Sequence, residues 1–425
     1  MHDLCYYNLI CGIAANTHNH PVSVHTLMFG WEYPPLHLGG LGVACQGLVR
    51  GLLRNDVKVT LVLPHPHTQT KDPDVLCASQ HHHQTLHVQS ILTPYATADQ
   101  YFQQITAVSK EMQQVYGHDL PEAVEHFTQA SVELSKGISS DVIHCHDWMT
   151  YGAGIRAARY HRKPLVAHIH ATELDRTHFK PNQWIYEQER IGFEAADRII
   201  AVSNYTKNIL TGHYGIHPDK ICVVYNGSNE VEQSFTTLSS IASRTHVPMV
   251  LFLGRLTLQK GPIQFLEMAA KIHQYRPEVQ FVVAGEGNML GEMLERTKQL
   301  ALEKNVTFLG RVDSSEAHKL YNSADCFVMP SLSEPFGLVA LEAIFHGTPV
   351  VISKQSGVSE VVGHGFKVDF WDTDKMADCV LTILREQPLA MQLRSQASQS
   401  LAYLRWERQA GIVRSVYQEL LHPHI

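Results

Sequence analysis

SLSEPFGLVALEAIFHGTPV, residues 331–350, opens with a polar turn holding Glu334 and Pro335, runs apolar at helical spacing through Leu338, Leu341, Ile344 and Phe345, and stops at Gly347 and Pro349. That order of residue types is a loop, a helix and a helix stop. Proline disfavours α geometry at the residue before it, so the helix is expected to begin near Gly337, leaving Glu334 in the loop and Glu342 in the second turn. The N–H groups of Gly337 to Val339 then lack intrahelical partners and form an anion site between two carboxylates. Such a pocket suits a sugar nucleotide: N–H groups for the diphosphate, one carboxylate for sugar hydroxyls, the other for ribose hydroxyls. The plainer alternative is a loop acid beside an exposed helix Glu, because Glu favours surfaces. The flanking sequence has to decide between them.

A chain of 425 residues is long enough for two ordinary domains at roughly 150 residues each. A formal charge of −7 with 44% hydrophobic residues gives no basic bias toward nucleic acid or anionic lipid. No apolar run approaches a membrane span, and the N-terminus lacks a charged segment followed by an apolar one, so a cytoplasmic protein is expected. The eight cysteines are scattered without a C-x-x-C pair, which argues for reduced structural thiols rather than a disulfide frame or zinc site. Among the 28 histidines, His81-His82-His83 has no Cys or acid at ligand spacing and reads as a solvated loop. No metal and no cofactor are expected.

Residues 1–23 carry no clear period. Val24–Phe29 is a plausible buried strand, followed by WEYPPLHLGGLG with Gly39, Gly40 and Gly42, an apolar-periodic helix from about Val43 to Leu53, and a strand from Asp56 to Leu63. Strand, glycine loop, helix, strand is the start of a βαβ unit. Residues 66–100 are polar and His/Gln-rich, read as a variable loop or small hairpin, and Tyr101–Lys136 reads as helix interrupted at Gly117 and Pro121. The strands Val142–His146 and Pro164–Ile169 end in Asp147-Trp148 and His170-Ala171-Thr172-Glu173, where open α/β sheets bind ligands. Arg198–Val202 and Val223–Tyr225 follow as strands.

From Asn229 to His246 the chain turns polar and Ser/Thr-rich, as an interdomain linker does. Alternation restarts at Met249–Leu253, and Arg255 and Lys260 bracket a short loop before a helix N-terminus, where two cations and free N–H groups can neutralise a diphosphate without a metal. Strands at Gln280–Ala284, Val306–Leu309, Cys326–Met329 and Val350–Ile352 follow, the last leading to Gly357 and Glu360, and helices from about Asp374 close the chain. Two successive βα units describe an α/β protein of two Rossmann-like βαβ domains facing across a cleft.

GGLG, HCHDW, HIHATE, GRLTLQKG and EPFGLVALEA with Glu334 and Glu342 eight positions apart, in this order over residues 24–420, resemble the GT-B retaining glycosyltransferases of family 4, closest to their glycogen/starch synthase-like branch. The resemblance implies a retaining hexosyl transfer from a nucleotide-diphosphate sugar to an acceptor, an α-glucan or other saccharide first among them. It implies that Arg255 and Lys260 hold the diphosphate and stabilise the leaving nucleotide, and that Glu334 meets the sugar hydroxyls. Phe336, Gly337 and Leu338 lend backbone contacts, Glu342 takes the ribose, Gly39 and Gly40 border the diphosphate, and His170 touches the transferred sugar. It further implies front-face attack without a metal, matching the lack of a D-x-D cluster beside the Arg255–Lys260 loop, with the leaving phosphate accepting the acceptor's proton. An N-terminal acceptor-side domain over 1–235, a donor domain over 246–411 and a last helix (about 412–425) returning to the first complete the implied organisation. Two departures bear on donor base and acceptor: His37-Leu38 stands where starch-type synthases carry a cation, and Asn229 where relatives often have Asp.

Other readings of the same residues are a lipid or small-molecule acceptor, a hydrolysing sugar-nucleotide epimerase, a non-catalytic nucleotide-binding module, and a glycoside hydrolase with Glu334 and Glu342 as its carboxylate pair. The hydrolase would leave the Arg255/Lys260 loop without a task.

Overall fold

The computed structural model describes residues 24–34, 40–65, 83–89, 119–228 and 247–422. Its N-terminal half is a seven-stranded sheet of β1 (His25–Phe29), β2 (Lys58–His65), β3 (His83–Gln89), β4 (Val142–His146), β5 (Leu165–Ile169), β6 (Arg198–Ala201) and β7 (Ile221–Val223) in the order β3-β2-β1-β4-β5-β6-β7. Its C-terminal half is a six-stranded sheet of β8 (Met249–Leu253), β9 (Gln280–Ala284), β10 (Val306–Gly310), β11 (Cys326–Met329), β12 (Val350–Ser353) and β13 (Phe366–Val368) in the order β10-β9-β8-β11-β12-β13. Every pairing is parallel. The central strands are apolar on both faces, as parallel strands covered by helices must be: β4, β5 and β11 are buried along their whole length. These are two Rossmann-like domains of a GT-B architecture, each with its own core.

Some sequence expectations need correction. The segment expected as loop or hairpin contains β3, which pairs in parallel with β2 from Val59↔His83 to His65↔Gln89, so His83 belongs to a strand. A parallel partner cannot be reached by a hairpin turn, and the alternation of Leu86 and Val88 with His87 and Gln89 is too short to stand out in a polar composition. Pro121 does not interrupt a helix. It occupies the first turn of the Leu120–Ser135 helix, where its missing N–H costs nothing, behind Asp119, whose carboxylate accepts from Glu122 N at 2.9 Å. Residues 1–23 and 101–118, and His81-His82, lie outside the described residues. The first helix starts at Gly40 rather than Val43, because the buried Leu41 and Gly42 already belong to its packed face.

The final helix, Trp406–Leu421, packs on the N-terminal half although the chain reaches it from the C-terminal one. Trp406, Ala410, Val413 and Tyr417 join the first core. Trp406 lies where Cβ atoms on Gly47 and Gly227 would fall, 2.2 and 2.6 Å from its ring, so only glycines let the indole seat. Further contacts tie the halves where β6 and β11 end. Ser203 Oγ donates to the Pro335 carbonyl at 2.6 Å, Ser333 Oγ to Asp175 at 2.5 Å, and the Glu360 carboxylate accepts from the N–H groups of Asn204 and Tyr205 at 2.9 and 2.7 Å.

Candidate active site

Between the two sheets lies a cleft of about 620 Å³, lined from one side by Gly40 and His170 and from the other by Arg255, Lys260, Phe336, Gly337, Leu338 and both Glu334 and Glu342. Every candidate residue named from the sequence borders this one space except Gly39, which lies outside the described residues.

The helix inside residues 331–350 runs over Leu338–Phe345. Gly337 caps it at φ +111, a conformation that strains any side chain, and an added Cβ would sit 3.0 Å from Met329 and Val358. No side chain caps this end, so its N–H groups open on the cleft. Glu334 N donates to the Gln355 carbonyl and Gly357 N to that of Glu334, both at 2.9 Å, which fixes the loop on the neighbouring β12 turn. The Glu334 carboxylate, 5% exposed, accepts from Lys260 Nζ at 2.5 Å and from Ser331 Oγ at 3.2 Å. Glu342 stands on the open side of the helix and accepts from the Tyr321 hydroxyl at 3.0 Å.

Lys260 ends a 3-10 turn, Leu258–Lys260, and is followed by Gly261 at φ +68 and the Pro262–Tyr275 helix. A Cβ on Gly261 would lie 2.0 Å from the Pro330 carbonyl oxygen, so this glycine allows the lysine loop to close against the glutamate loop. Arg255 follows β8 on the same rim.

From the opposite wall, His170 follows directly on β5. Its backbone N–H donates to Asp147 Oδ1 at 2.7 Å, and its Nε2 lies 2.9 Å from His146 Nδ1. Burial holds its imidazole down to about 3, so it meets a ligand as a neutral hydrogen-bonding ring. Burial likewise pushes Asp147 up to about 6. The loop after His170 is braced by Arg176, which donates to the Ala171 carbonyl at 2.7 Å and pairs with Glu189 at 2.7 Å and Glu173 at 3.2 Å.

Sequence reasoning missed Gln259, Glu286, Arg311 and Ser331 as cleft residues, and His146 as the neighbour of His170. The signal for His146 was present: histidines two apart on each of two adjacent strands, His144 and His146 beside His168 and His170, must share a sheet face.

The model of the family described as glycosyl transferases group 1 matches residues 236–400, and that described as Glycosyltransferase Family 4 matches residues 38–230. An uncharacterized glycosyltransferase of Methanocaldococcus jannaschii is 32% identical over 352 residues, covering 79% of this chain and 82% of that protein. This chain is a group 1 glycosyltransferase. The glycogen synthase of Mycobacterium tuberculosis is 27% identical to it over 409 residues, 92% of this chain and 94% of that one. Among solved structures, the sucrose-phosphate synthase of Thermosynechococcus elongatus superposes with a TM-score of 0.72 at 21% identity, over 94% of the glycosyltransferase and all of that chain, a likeness of fold. Among the described residues no helix is long and apolar enough to cross a membrane.

Proposed function

We propose that this glycosyltransferase moves a hexose, with retention and without a metal, from a nucleoside diphosphate sugar to a saccharide acceptor, an α-glucan first among them. The observation that carries the reading is the contact of Lys260 with Glu334 beside the open helix end at Gly337. A cation, a row of N–H donors and a carboxylate within one cleft complement a diphosphate joined to a polyhydroxylated ring. The names of the glycogen and sucrose-phosphate synthases support a saccharide acceptor.

In this reading Arg255 and Lys260 carry the charge that develops on the departing diphosphate. Phe336, Gly337 and Leu338 offer backbone groups to it, and Gly39 and Gly40 leave it room from the N-terminal side. Glu334 holds the sugar hydroxyls, Glu342 the ribose, and neutral His170 a hydroxyl near the anomeric carbon. The acceptor attacks from the face the nucleotide leaves, and a phosphate oxygen takes its proton, so no side chain need act as general base. Preorganised charge of this kind is worth roughly 10²–10³ in rate per donor. Its cysteines, scattered without a C-x-x-C pair, suit a cytoplasmic enzyme.

The test is proton NMR of turnover with UDP-, ADP- and GDP-hexoses and maltooligosaccharides in excess EDTA. An α-linked product from an α-linked donor is expected. A β-linked product would refute retention, a free epimerised sugar would favour the epimerase, and transfer confined to lipid or small-molecule acceptors would replace the glucan.

A further inference from the structure

Beneath the cleft, three buried histidines, His144, His146 and His168, stack behind His170 of its wall. His144, His146 and His168 are almost wholly inaccessible, and the rings of His146 and His170 stand 5.2 Å apart. Histidines in a core normally satisfy both ring nitrogens, yet His146 Nε2, His168 Nε2 and His170 Nδ1 have no hydrogen-bond partner. Burial keeps these imidazoles neutral, with a lone pair on one nitrogen of each ring. Cys45, fully buried on the Gly40–Arg54 helix, comes against them: its Sγ and one nitrogen each of His146 and His170 lie within 4.8 Å of one another.

We propose that Cys45, His146 and His170 form an inhibitory site for a borderline-soft divalent cation, Zn²⁺ foremost, whose occupancy takes His170 out of the donor site. A tetrahedral Zn²⁺ with bonds of about 2.0–2.3 Å sets its ligands roughly 3.3–3.7 Å apart, so small rotations of three side chains close the shell. Thiolate and imidazole select Zn²⁺ or Co²⁺ over Mg²⁺. Charge separates this set from its neighbour: His144, His146 and His168 also converge, but would bury a dication with no anionic ligand. Burial, with the Asp147 and Glu32 carboxylates nearby, pushes the Cys45 thiol well up, so without a cation it keeps its proton; on binding, the metal displaces that proton to solvent and the thiolate cancels one charge. Nothing is oxidised or reduced. Three protein ligands leave a fourth position for water. Inhibition rests on the role proposed for His170; binding does not.

The probe is Co²⁺, titrated into the chelator-treated full-length chain. One equivalent should produce a thiolate-to-cobalt charge-transfer band that Zn²⁺ bleaches. Cys45→Ser should lose it, and so should Cys45→Ala, which suits a buried helix position should the serine hydroxyl unfold the chain. Near-stoichiometric Zn²⁺ should slow sugar-nucleotide turnover more than tenfold, reversibly by EDTA, with Cys45→Ala at least tenfold less sensitive and its metal-free rate retained. Absence of the band, or its survival in both folded variants, overturns the site. Binding with undiminished turnover overturns the inhibition. A band in a protein that turns over no donor would count against the transferase reading and leave the metal site standing.

Discussion

Lys260 and Glu334 are both better placed for chemistry than for holding the fold. Each faces a cleft from a loop, and their contact offsets the cost of keeping either charge partly out of water. Replacing either by alanine should therefore lower turnover by about 10²–10³-fold while the melting temperature moves by only a few degrees, measured on the same preparations. Near-normal turnover in either variant would remove them from the mechanism. Gly261 makes a different prediction. Its φ of +68 and the Pro330 carbonyl 2.0 Å from any Cβ mean that Gly261→Ala must move the lysine loop, costing on the order of 1–3 kcal/mol by denaturant unfolding and lowering turnover with it. Unchanged stability would show that the loop adapts. Glu334, Glu342, Arg255 and Lys260 were legible in the sequence because proline, glycine and apolar spacing around them mark loop-to-helix junctions, and junctions are where anions bind. The unpaired nitrogens beside His170 were not, since pairing depends on ring positions across two strands rather than on spacing along one.

At the scale of elements, the last helix is the test of long-range organisation. Trp406 is 6% exposed and fits against glycines of the Gly40–Arg54 helix and of the turn after β7. Trp406→Ala should cost about 3–5 kcal/mol, because a large ring leaves a cavity that two helices cannot close, and a loss below ~1 kcal/mol would mean the helix is not docked this way. Glu360 works across the halves. Its carboxylate meets the first N–H groups of the Asn204–His213 helix and the Tyr225 hydroxyl at 3.0 Å, so Glu360→Ala removes charge-assisted hydrogen bonds between domains. A stability loss of about 1 kcal/mol with a larger solution radius of gyration is expected; an unchanged scattering profile would show that the remaining contacts suffice. Element reading from the sequence succeeded where strands were continuously apolar, as in β8 and β11. It failed for β3, an edge strand of polar composition, and overlooked β13, only three residues long.

For the whole molecule, the two-domain α/β organisation was readable because strand and helix patterns alternate on both sides of a polar stretch near residues 229–246. What no local pattern could give is which side chains from the two halves share the cleft. That depends on the approach of β5 and its His170 loop toward the β8 and β11 loops, set by contacts such as Ser333 with Asp175. The proposed role of the shared cleft is that of a metal-independent donor site for a sugar nucleotide. It is tested most directly by thermal stabilisation of the wild-type chain and Lys260→Ala with UDP, ADP and GDP, each with and without EDTA. Only a ligand that binds the native state raises its melting temperature. One nucleoside diphosphate should stabilise the wild type equally in both conditions, by several degrees at saturating concentration, and should do so far less in Lys260→Ala. No shift from any of them, or a shift that EDTA abolishes, would contradict the account.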